Sequence, residues 1–239
     1  MQSVAIVTGG SSNIGWACAQ RLADRYTVVV ADIKPPEQAL PAGMLFRATD
    51  VTQPGACQAL MAYAQDLGSV KALVHSAAIT APAKPVEQIT LDEWRRVIDI
   101  NLTGAFIVAQ AAIPALRASR GNMVMIASRA ARTGVAALVP TDQGIKPHYC
   151  ASKAGLLSLV RSLATELAAD GIRVNAVLPG SIEGAMIPRE RWPDLAARIP
   201  LRRLGLPEEI AAAANFLCSS ESLYITGHAL DVNGGTWMN

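Results

Sequence analysis

The fold is decided by the stretch Val4-Ala5-Ile6-Val7-Thr8-Gly9-Gly10-Ser11-Ser12-Asn13-Ile14-Gly15. Its first four residues form a short apolar run rich in β-branched side chains, which predicts a buried strand. A glycine-rich turn follows, and then a helical pattern from Trp16 to Ala23. Such a turn leaves backbone N–H groups at the start of a helix, where the dipole favours a pyrophosphate. A plain strand-to-helix turn also favours Gly and Ser, so this stretch alone leaves two interpretations open.

A carboxylate after the second predicted strand favours the dinucleotide interpretation. The apolar run Thr27–Ala31 ends at Asp32, 17 positions after Gly15. This is close to the offset of about 20 residues at which an acidic side chain meets the adenosine ribose. A carboxylate there accepts hydrogen bonds from the ribose hydroxyls and repels a 2′-phosphate. Asp32 therefore predicts NAD rather than NADP, although a polar cap at a strand end is the alternative.

A tyrosine and a lysine four residues apart open the longest helical pattern, Tyr149–Ala169. Tyr149 and Lys153 would share one helix face, one turn apart. A free tyrosine has a pKa near ~10 and is a poor base at neutral pH. An ammonium group beside it favours the phenolate and lowers that pKa. The pair could therefore deprotonate an alcohol or protonate an alkoxide, although most such pairs are simply solvated helix faces.

Composition limits the class of protein. The 239 residues suit one α/β domain spanning 1–239, and 51% hydrophobic with 17% charged residues are enough for a large core. A net charge of +2 gives no electrostatic reason to expect nucleic acid. The four cysteines lack metal-ligand spacing, so we expect reduced thiols in a cytoplasmic protein and no metal. The apolar stretch around Ala105–Leu116 is broken by Gln110 and Pro114, so we expect no membrane span.

Strand patterns alternate with helical patterns along the whole chain. This alternation predicts an α/β Rossmann fold, a doubly wound parallel sheet of about seven strands with helices on both faces. Ligands of such sheets bind beyond the carboxyl ends of the strands. The further strands are predicted at Met44–Ala48, Ala72–His75, Met123–Ile126, Arg173–Leu178 and Ala229–Val232, and the further helices at Gly55–Asp66, Leu91–Leu116 and Pro207–Leu217.

Together these motifs resemble those of the short-chain dehydrogenase/reductase family, in the family's order and over essentially the whole chain. The resemblance implies direct hydride transfer between a substrate carbon and a nicotinamide, without a metal. Beyond the glycine turn and Asp32, the matching segments are Asp50-Val51, Leu73–Ala78, Asn101, Ser128, Tyr149 with Lys153, Pro179–Ile182, Leu204–Ile210 and Thr226–Gly235.

The resemblance also implies roles for single residues. By it, Tyr149 passes the proton, and Ser128 hydrogen-bonds and orients the substrate oxygen. Lys153 lowers the Tyr149 pKa and holds the nicotinamide ribose, and Asn101 holds a water for proton relay to Lys153. The residues expected to bind NAD are Gly9, Ser11, Ser12, Asn13, Ile14, Gly15, Asp32, Asp50, Val51, Ala77, Ala78, Tyr149, Lys153, Pro179, Gly180 and Ile182.

The chain departs from the family pattern at several places. Asn13 stands where the family usually has the middle glycine of its turn, and asparagine tolerates positive φ better than other non-glycine residues. Gly184 stands where the family often has a threonine that touches the cofactor, so one contact is predicted to be missing. Two segments predicted to be irregular, 129–147 and 181–200, flank the proposed chemistry. We expect them to shape the substrate pocket. Trp192 and the Arg189/Arg191 pair are expected to lie in the substrate lid, where they could meet an acidic group of the substrate.

Three functions from different classes follow. The leading one is an NAD-dependent oxidoreductase that acts on a small-molecule secondary alcohol or its ketone. An NADPH-dependent 3-oxoacyl-thioester reductase shares the scaffold, but Asp32 and Ser12 weigh against it. A non-catalytic dinucleotide sensor would need none of Asn101, Ser128, Tyr149 and Lys153. Apolar surfaces on more than one face of the helices at 91–116 and 149–169 predict a homotetramer or a homodimer.

Overall fold

The computed structural model describes residues 2–138 and 144–238, so residues 139–143 of the predicted substrate loop lie outside the described part. The strands form one wholly parallel sheet with the order 3-2-1-4-5-6-7. The predicted seven-stranded parallel sheet is therefore confirmed. The seven strands within the described ranges are β1 (Ser3–Thr8), β2 (Thr27–Asp32), β3 (Met44–Ala48), β4 (Ser69–His75), β5 (Asn122–Ile126), β6 (Arg173–Pro179) and β7 (Ala229–Val232).

The helices connect these strands and cover both faces of the sheet. Alternate residues of the buried strands belong to two separate apolar cores, one on each face, as a period of two requires. Helices α2, α4 and α6 pack on one core, and α1 and α8 pack on the other. The bounds are α1 (Asn13–Leu22), α2 (Pro54–Leu67), α3 (Leu91–Ile98), α4 (Gly104–Ser119), α5 (Ala130–Thr133), α6 (Pro147–Leu167), α7 (Trp192–Ala196) and α8 (Pro207–Leu217).

α1 begins three residues before its predicted start and α2 is one residue longer at each end than predicted. Two further differences have local reasons. α6 begins at Pro147, two residues before the predicted start, because proline suits the first helical position, where its missing N–H is not needed. The predicted single helix from Leu91 is divided by a π-helical turn, Asp99–Thr103, in which the Gly104 N–H bonds the Asp99 carbonyl five residues back. Both differences concern residues that the site uses.

The run Leu91–Ser119 is long and apolar enough, by length and composition alone, to cross a membrane. It is longer than the apolar stretch on which the prediction of no membrane span rested. Its buried residues, among them Ala105, Val108 and Ala109, pack into the core on one face of the sheet. Core helices of globular folds pass the same test of length and composition, and 39% of the most apolar 18-residue stretch of this run is buried in the fold.

The two segments predicted to be irregular contain short helices. α5 lies in the first segment and α7 in the second. Leu138 from the first segment packs with Ile187 and Trp192 from the second, in a small apolar cluster built on Leu195 and Ile199. The two segments therefore contact each other directly.

Candidate active site

One cavity of about 370 Å³ lies at the carboxyl ends of the central strands. Its lining includes every residue predicted to bind NAD except Ser11, and it includes the predicted catalytic residues except Asn101. The prediction missed several apolar residues of the lining. They lie directly beside predicted residues or in the 181–200 segment, which is the signal that could have found them: Ile33, Ile79, Ile100, Met186 and Ile187.

The glycine turn passes very close to itself where α1 begins. A Cβ atom on Gly15 would lie 2.0 Å from the Gly9 carbonyl oxygen, so the turn closes only with glycine there. Ser12 occupies the N-cap position of α1, but its side chain makes no capping hydrogen bond. The first N–H groups of α1 therefore have no side-chain cap, which suits an anionic ligand.

The two departures from the family pattern, Asn13 and Gly184, contact each other. Asn13 has a φ of 43°, the positive value that the sequence allowed for. Its Nδ2 donates a hydrogen bond to the Glu183 carbonyl over 3.0 Å. A Cβ atom on Gly184, whose φ is 147°, would lie 1.7 Å from that same Nδ2. The asparagine side chain thus fills the space that a side chain at position 184 would need, and it joins the glycine turn to the 181–200 segment.

The Asp32 carboxylate is held by backbone N–H groups at the edge of the cavity. Its Oδ2 accepts from the Ser11 N–H over 3.1 Å, and its Oδ1 accepts from the Ile33 N–H over 2.7 Å. The Ser11 hydroxyl donates to the Lys34 carbonyl over 2.7 Å. Ser11 is not part of the cavity lining, and its backbone N–H helps to position the Asp32 carboxylate. Carboxylate oxygens have further lone pairs, so Asp32 can still accept hydrogen bonds from ribose hydroxyls.

The Tyr149 hydroxyl and Ser128 meet in the cavity, but the pKa of Tyr149 is not lowered as predicted. Burial raises the pKa of Tyr149, a hydrogen bond with Ser128 offsets part of that rise, and the nearby Cys150 thiol adds to it. The predicted net lowering by Lys153 is wrong in this structure, because the cost of burying a phenolate exceeds the stabilisation it receives. The Ser128 Oγ also accepts from the Ala130 N–H over 3.1 Å, which fixes its position at the start of α5.

The Lys153 ammonium is buried at the end of β5. Its Nζ donates to the Ile126 carbonyl over 2.8 Å, and its side chain is almost fully enclosed. Burial lowers the pKa of Lys153 to about 8. The neighbouring His75 is also buried, and burial, followed by the Lys153 charge, lowers its pKa to about 3. His75 is therefore neutral, and its Nδ1 pairs with the Thr8 hydroxyl over 2.8 Å, as expected of a structural histidine.

Asn101 lies in the π-helical turn and uses its side chain to join three segments. Its Oδ1 accepts from the Ile79 N–H over 2.8 Å, and its Nδ2 donates to the Ile79 carbonyl and to the Ser152 hydroxyl over 2.9 and 3.1 Å. The side chain is fully buried and is not itself part of the cavity lining. These bonds hold Ile79 of the cavity wall against α6, and the water-holding role predicted for Asn101 stays a prediction.

Arg129 is a site residue that the sequence did not suggest. Its guanidinium is buried directly after Ser128 and donates through Nη2 to the carbonyls of Val135, Ala136 and Ala137 over 3.2, 3.4 and 3.3 Å. Burial lowers the pKa of Arg129. The side chain holds residues 133–137 around itself and so keeps this part of the chain close to Ser128. Within residues 2–138 and 144–238, no group of His, Cys, Asp or Glu side chains is arranged to hold a metal ion.

Comparisons with known proteins agree on one family. A family model described as Enoyl-(Acyl carrier protein) reductase matches residues 9–236. The chain is 36% identical over 247 residues to cis-4-hydroxycyclohexanecarboxylate dehydrogenase of Sinomonas cyclohexanicum, covering 98% of this chain and 96% of that one. It is 36% identical over 239 residues to the 3-oxoacyl-[acyl-carrier-protein] reductase MabA of Mycobacterium tuberculosis, covering 98% and 92%. Ligand-free aldohexose dehydrogenase of Thermoplasma acidophilum matches with a TM-score of 0.87 and 32% identity, covering 98% and 94%.

These relatives share the fold along nearly the full length of the chain. The activities in their names differ in substrate, so they support an oxidoreductase without choosing one alcohol or one dinucleotide. The resemblance predicted from the motifs is confirmed. The chain belongs to the short-chain dehydrogenase/reductase family of oxidoreductases.

Proposed function

We propose that the protein is an NAD-dependent oxidoreductase that interconverts a secondary alcohol and its ketone, with Tyr149 exchanging the substrate proton. The observation that carries this proposal is that Tyr149, Ser128 and Lys153 line the same cavity as the glycine turn. A dinucleotide and a substrate oxygen could therefore meet within reach of one hydroxyl. General acid–base catalysis requires that the proton acceptor be within hydrogen-bond distance of the reacting group.

The residues around the cavity fit a dinucleotide. The uncapped start of α1 suits a pyrophosphate, Asp32 suits the adenosine ribose, and Lys153 suits the nicotinamide ribose. When bound, the oxidised nicotinamide supplies a hydride acceptor and a positive charge, and a positive charge near Tyr149 favours its phenolate. Ser128 then holds the substrate oxygen beside Tyr149, and the buried Lys153 ammonium stabilises the phenolate that forms.

The preference for NAD rests on Asp32. A 2′-phosphate would meet this carboxylate, and its repulsion should reduce kcat/KM by several-fold to hundreds-fold, on the basis of ~1–3 kcal/mol. The exposed Lys34 lies two residues further on, and its backbone contacts the Ser11 hydroxyl. Its charge could offset part of the repulsion. Measuring kcat/KM with both dinucleotides in the wild type and in Lys34→Met separates the two effects.

The second candidate is an NADPH-dependent 3-oxoacyl-thioester reductase. Lys34, beside the expected adenosine ribose, and the 36% identity with MabA favour it. Among residues 2–138 and 144–238, the cavity lining contains Asp32 and no arginine or lysine other than Lys153. We therefore rank this candidate below the NAD-dependent alcohol dehydrogenase. A non-catalytic sensor, the third candidate, would bind dinucleotide without turnover.

One screen tests all three functions. Purified protein is assayed with NAD and NADP against polyols, cyclic and aromatic alcohols, sugars and hydroxy acids, including cis-4-hydroxycyclohexanecarboxylate, and with NADH and NADPH against acetoacetyl thioesters. Turnover of an alcohol with NAD supports the proposal. Turnover confined to the thioester with NADPH supports the second candidate, and dinucleotide binding with no turnover supports the third.

We also expect a single cytoplasmic domain that assembles as a homotetramer, or failing that a homodimer. Large apolar side chains on the α3–α4 run are exposed in the single chain, namely Leu91, Trp94 and Phe106. Such a surface favours contact with a second copy. Light scattering at micromolar concentration measures the mass, and a monomer would contradict this expectation.

A further inference from the structure

The Lys146 ammonium lies between two chain segments that line the cavity. Its Nζ donates to the Thr80 hydroxyl over 3.1 Å. Thr80 directly follows the lining residue Ile79, and Lys146 stands three residues before Tyr149, at the N-cap of α6. An antiparallel bridge between Ile145 and Lys84 holds the backbone here, with hydrogen bonds of 3.3 and 3.1 Å. The ammonium is thus fixed beside the wall that also carries the proton acceptor.

This cation has no carboxylate partner within residues 2–138 and 144–238. Among the described residues its side-chain hydrogen bond is to a neutral hydroxyl, and Glu93 is paired with Lys84 and the Thr90 N–H. Burial lowers the pKa of Lys146, and the positive charge of Arg191 lowers it further. Arg191 belongs to the 181–200 segment and makes no ion pair in the same described ranges. The 129–147 and 181–200 segments contact each other through Leu138, Ile187 and Trp192, so an anion bound at Lys146 would also be attracted by the charge of Arg191.

The cavity wall formed by Ile79 and by the 181–200 segment is largely apolar. Ile79, Met186 and Ile187 line the cavity there, and Trp192 packs with Ile187 just outside it. A ligand that satisfies both the cations and this part of the wall has an apolar body with one anionic group. Lys146 lies directly before α6 and Tyr149 is the third residue of that helix, so one short segment would bind both the substrate hydroxyl and its anion.

We propose that the substrate is a carboxylate-bearing secondary alcohol with an apolar body, and that Lys146 binds its carboxylate while Arg191 adds positive charge from the 181–200 segment. The inference rests on the proposed alcohol dehydrogenase function and names its substrate class. Lys146 and Arg191 are substrate-binding residues in this account, and neither takes part in proton transfer.

The test compares an acid with its neutral isostere. The ratio of kcat/KM for cis-4-hydroxycyclohexanecarboxylate to that for the corresponding carboxamide should exceed about 10 in the wild type, since a charge-assisted hydrogen bond contributes roughly 10- to 100-fold. Lys146→Met should lower this ratio about 10-fold or more, mainly through KM. Lys146→Arg should retain most of it, and Arg191→Met should lower it by a smaller factor.

Lys71→Met provides the matched control. Lys71 is also half-buried and also donates to an oxygen, the Ser119 carbonyl at 2.8 Å, but it lies near the amino end of β4. Its substitution should leave the ratio unchanged. NAD titration verifies that each variant is folded and binds the dinucleotide.

Two outcomes separate this inference from the proposed function. If neutral alcohols are oxidised but the acid is not preferred, or if Lys146→Met keeps the ratio, the carboxylate site is wrong and the dehydrogenase stands. If no alcohol is oxidised, calorimetry can still test the carboxylate site, by comparing the binding affinities of cyclohexanecarboxylate and cyclohexanecarboxamide. Tighter binding of the acid that is lost in Lys146→Met supports the site, and equal binding of both compounds overturns it.

Discussion

Substitution of Gly184 by alanine should act through Asn13. The new Cβ atom would lie 1.7 Å from Asn13 Nδ2, so the asparagine side chain must leave its place and lose its 3.0 Å hydrogen bond to the Glu183 carbonyl. A hydrogen bond of this kind contributes about 0.5–1.5 kcal/mol. The φ of 147° adds backbone strain for any residue with a Cβ, of order 1–3 kcal/mol. We therefore expect Gly184→Ala to reduce the free energy of unfolding by about 1.5–4.5 kcal/mol, the sum of these two costs, or to loosen the 181–200 segment at the same cost.

A double-mutant cycle isolates the contact between the two residues. Asn13→Gly removes the side chain at a φ that glycine adopts without strain. In that background Gly184→Ala retains only its own backbone strain, so its cost should fall by about 1 kcal/mol. The free energy of unfolding is measured by urea denaturation, and NAD affinity by fluorescence titration, for the wild type, both single variants and the double variant.

The same cycle contains the result that would refute the reasoning. If Gly184→Ala costs the same in both backgrounds, within the ~0.3–0.5 kcal/mol expected of independent sites, then Asn13 and Gly184 are not coupled. The bridge between the glycine turn and the 181–200 segment would then have no energetic role. If the two substitutions are non-additive in NAD affinity but additive in the free energy of unfolding, the contact between Asn13 and Gly184 affects only cofactor binding.

Three further predictions concern single residues of the cavity. Tyr149→Phe should reduce alcohol oxidation by ~10²–10⁴-fold while NAD still binds; a variant that keeps most of its turnover would place the base elsewhere. Burial lowers the pKa of Lys153 from 10.5 to about 8, so between those pH values the unfolded chain binds the extra proton and stability from this group rises with pH. Lys153→Met should lose that rise, on the order of 2–3 kcal/mol by linkage, in urea unfolding at pH 7.5 and 10; parallel pH curves for the two proteins would contradict it. Asp32→Ala should raise the ratio of kcat/KM for NADP to that for NAD about 10- to 100-fold, and an unchanged ratio would remove Asp32 from cofactor choice.

The order of elements could be predicted from the sequence because the buried strands are short, apolar and β-branched, and because glycine and proline mark their ends. Met44–Ala48 and Ala229–Val232 have the predicted bounds. The π-helical turn was not predictable, since Asp99–Thr103 has the same apolar spacing as the helices around it. Pro147 marks the start of α6, but the prediction began this helix at Tyr149, two residues too late, because it followed the motif around Tyr149.

The residues that line the cavity could largely be predicted from the sequence, but the pKa shifts of those residues could not. Motif order places Tyr149, Ser128 and Lys153 at adjacent strand and helix ends, so their meeting follows from the topology. The pKa of Tyr149 depends on how deeply its hydroxyl is buried, and burial is a property of packing across distant segments. The contact between Asn13 and Gly184 joins positions 171 residues apart; each was recognisable as unusual, but their complementarity required the structure.

The π-helical turn at Asp99–Thr103 absorbs one residue without changing which faces the flanking helices present. A π turn holds one residue more than an α turn, and one residue corresponds to a rotation of about 100° around the axis of a regular helix. If the same residues formed a regular α-helix throughout, α4 would turn by that angle relative to α3, and Ala105, Val108 and Ala109 would leave the sheet. A related chain with one residue fewer here should therefore form a regular α-helix and keep the packing of α4. Length differences of one residue should be tolerated in this turn more readily than elsewhere in the run.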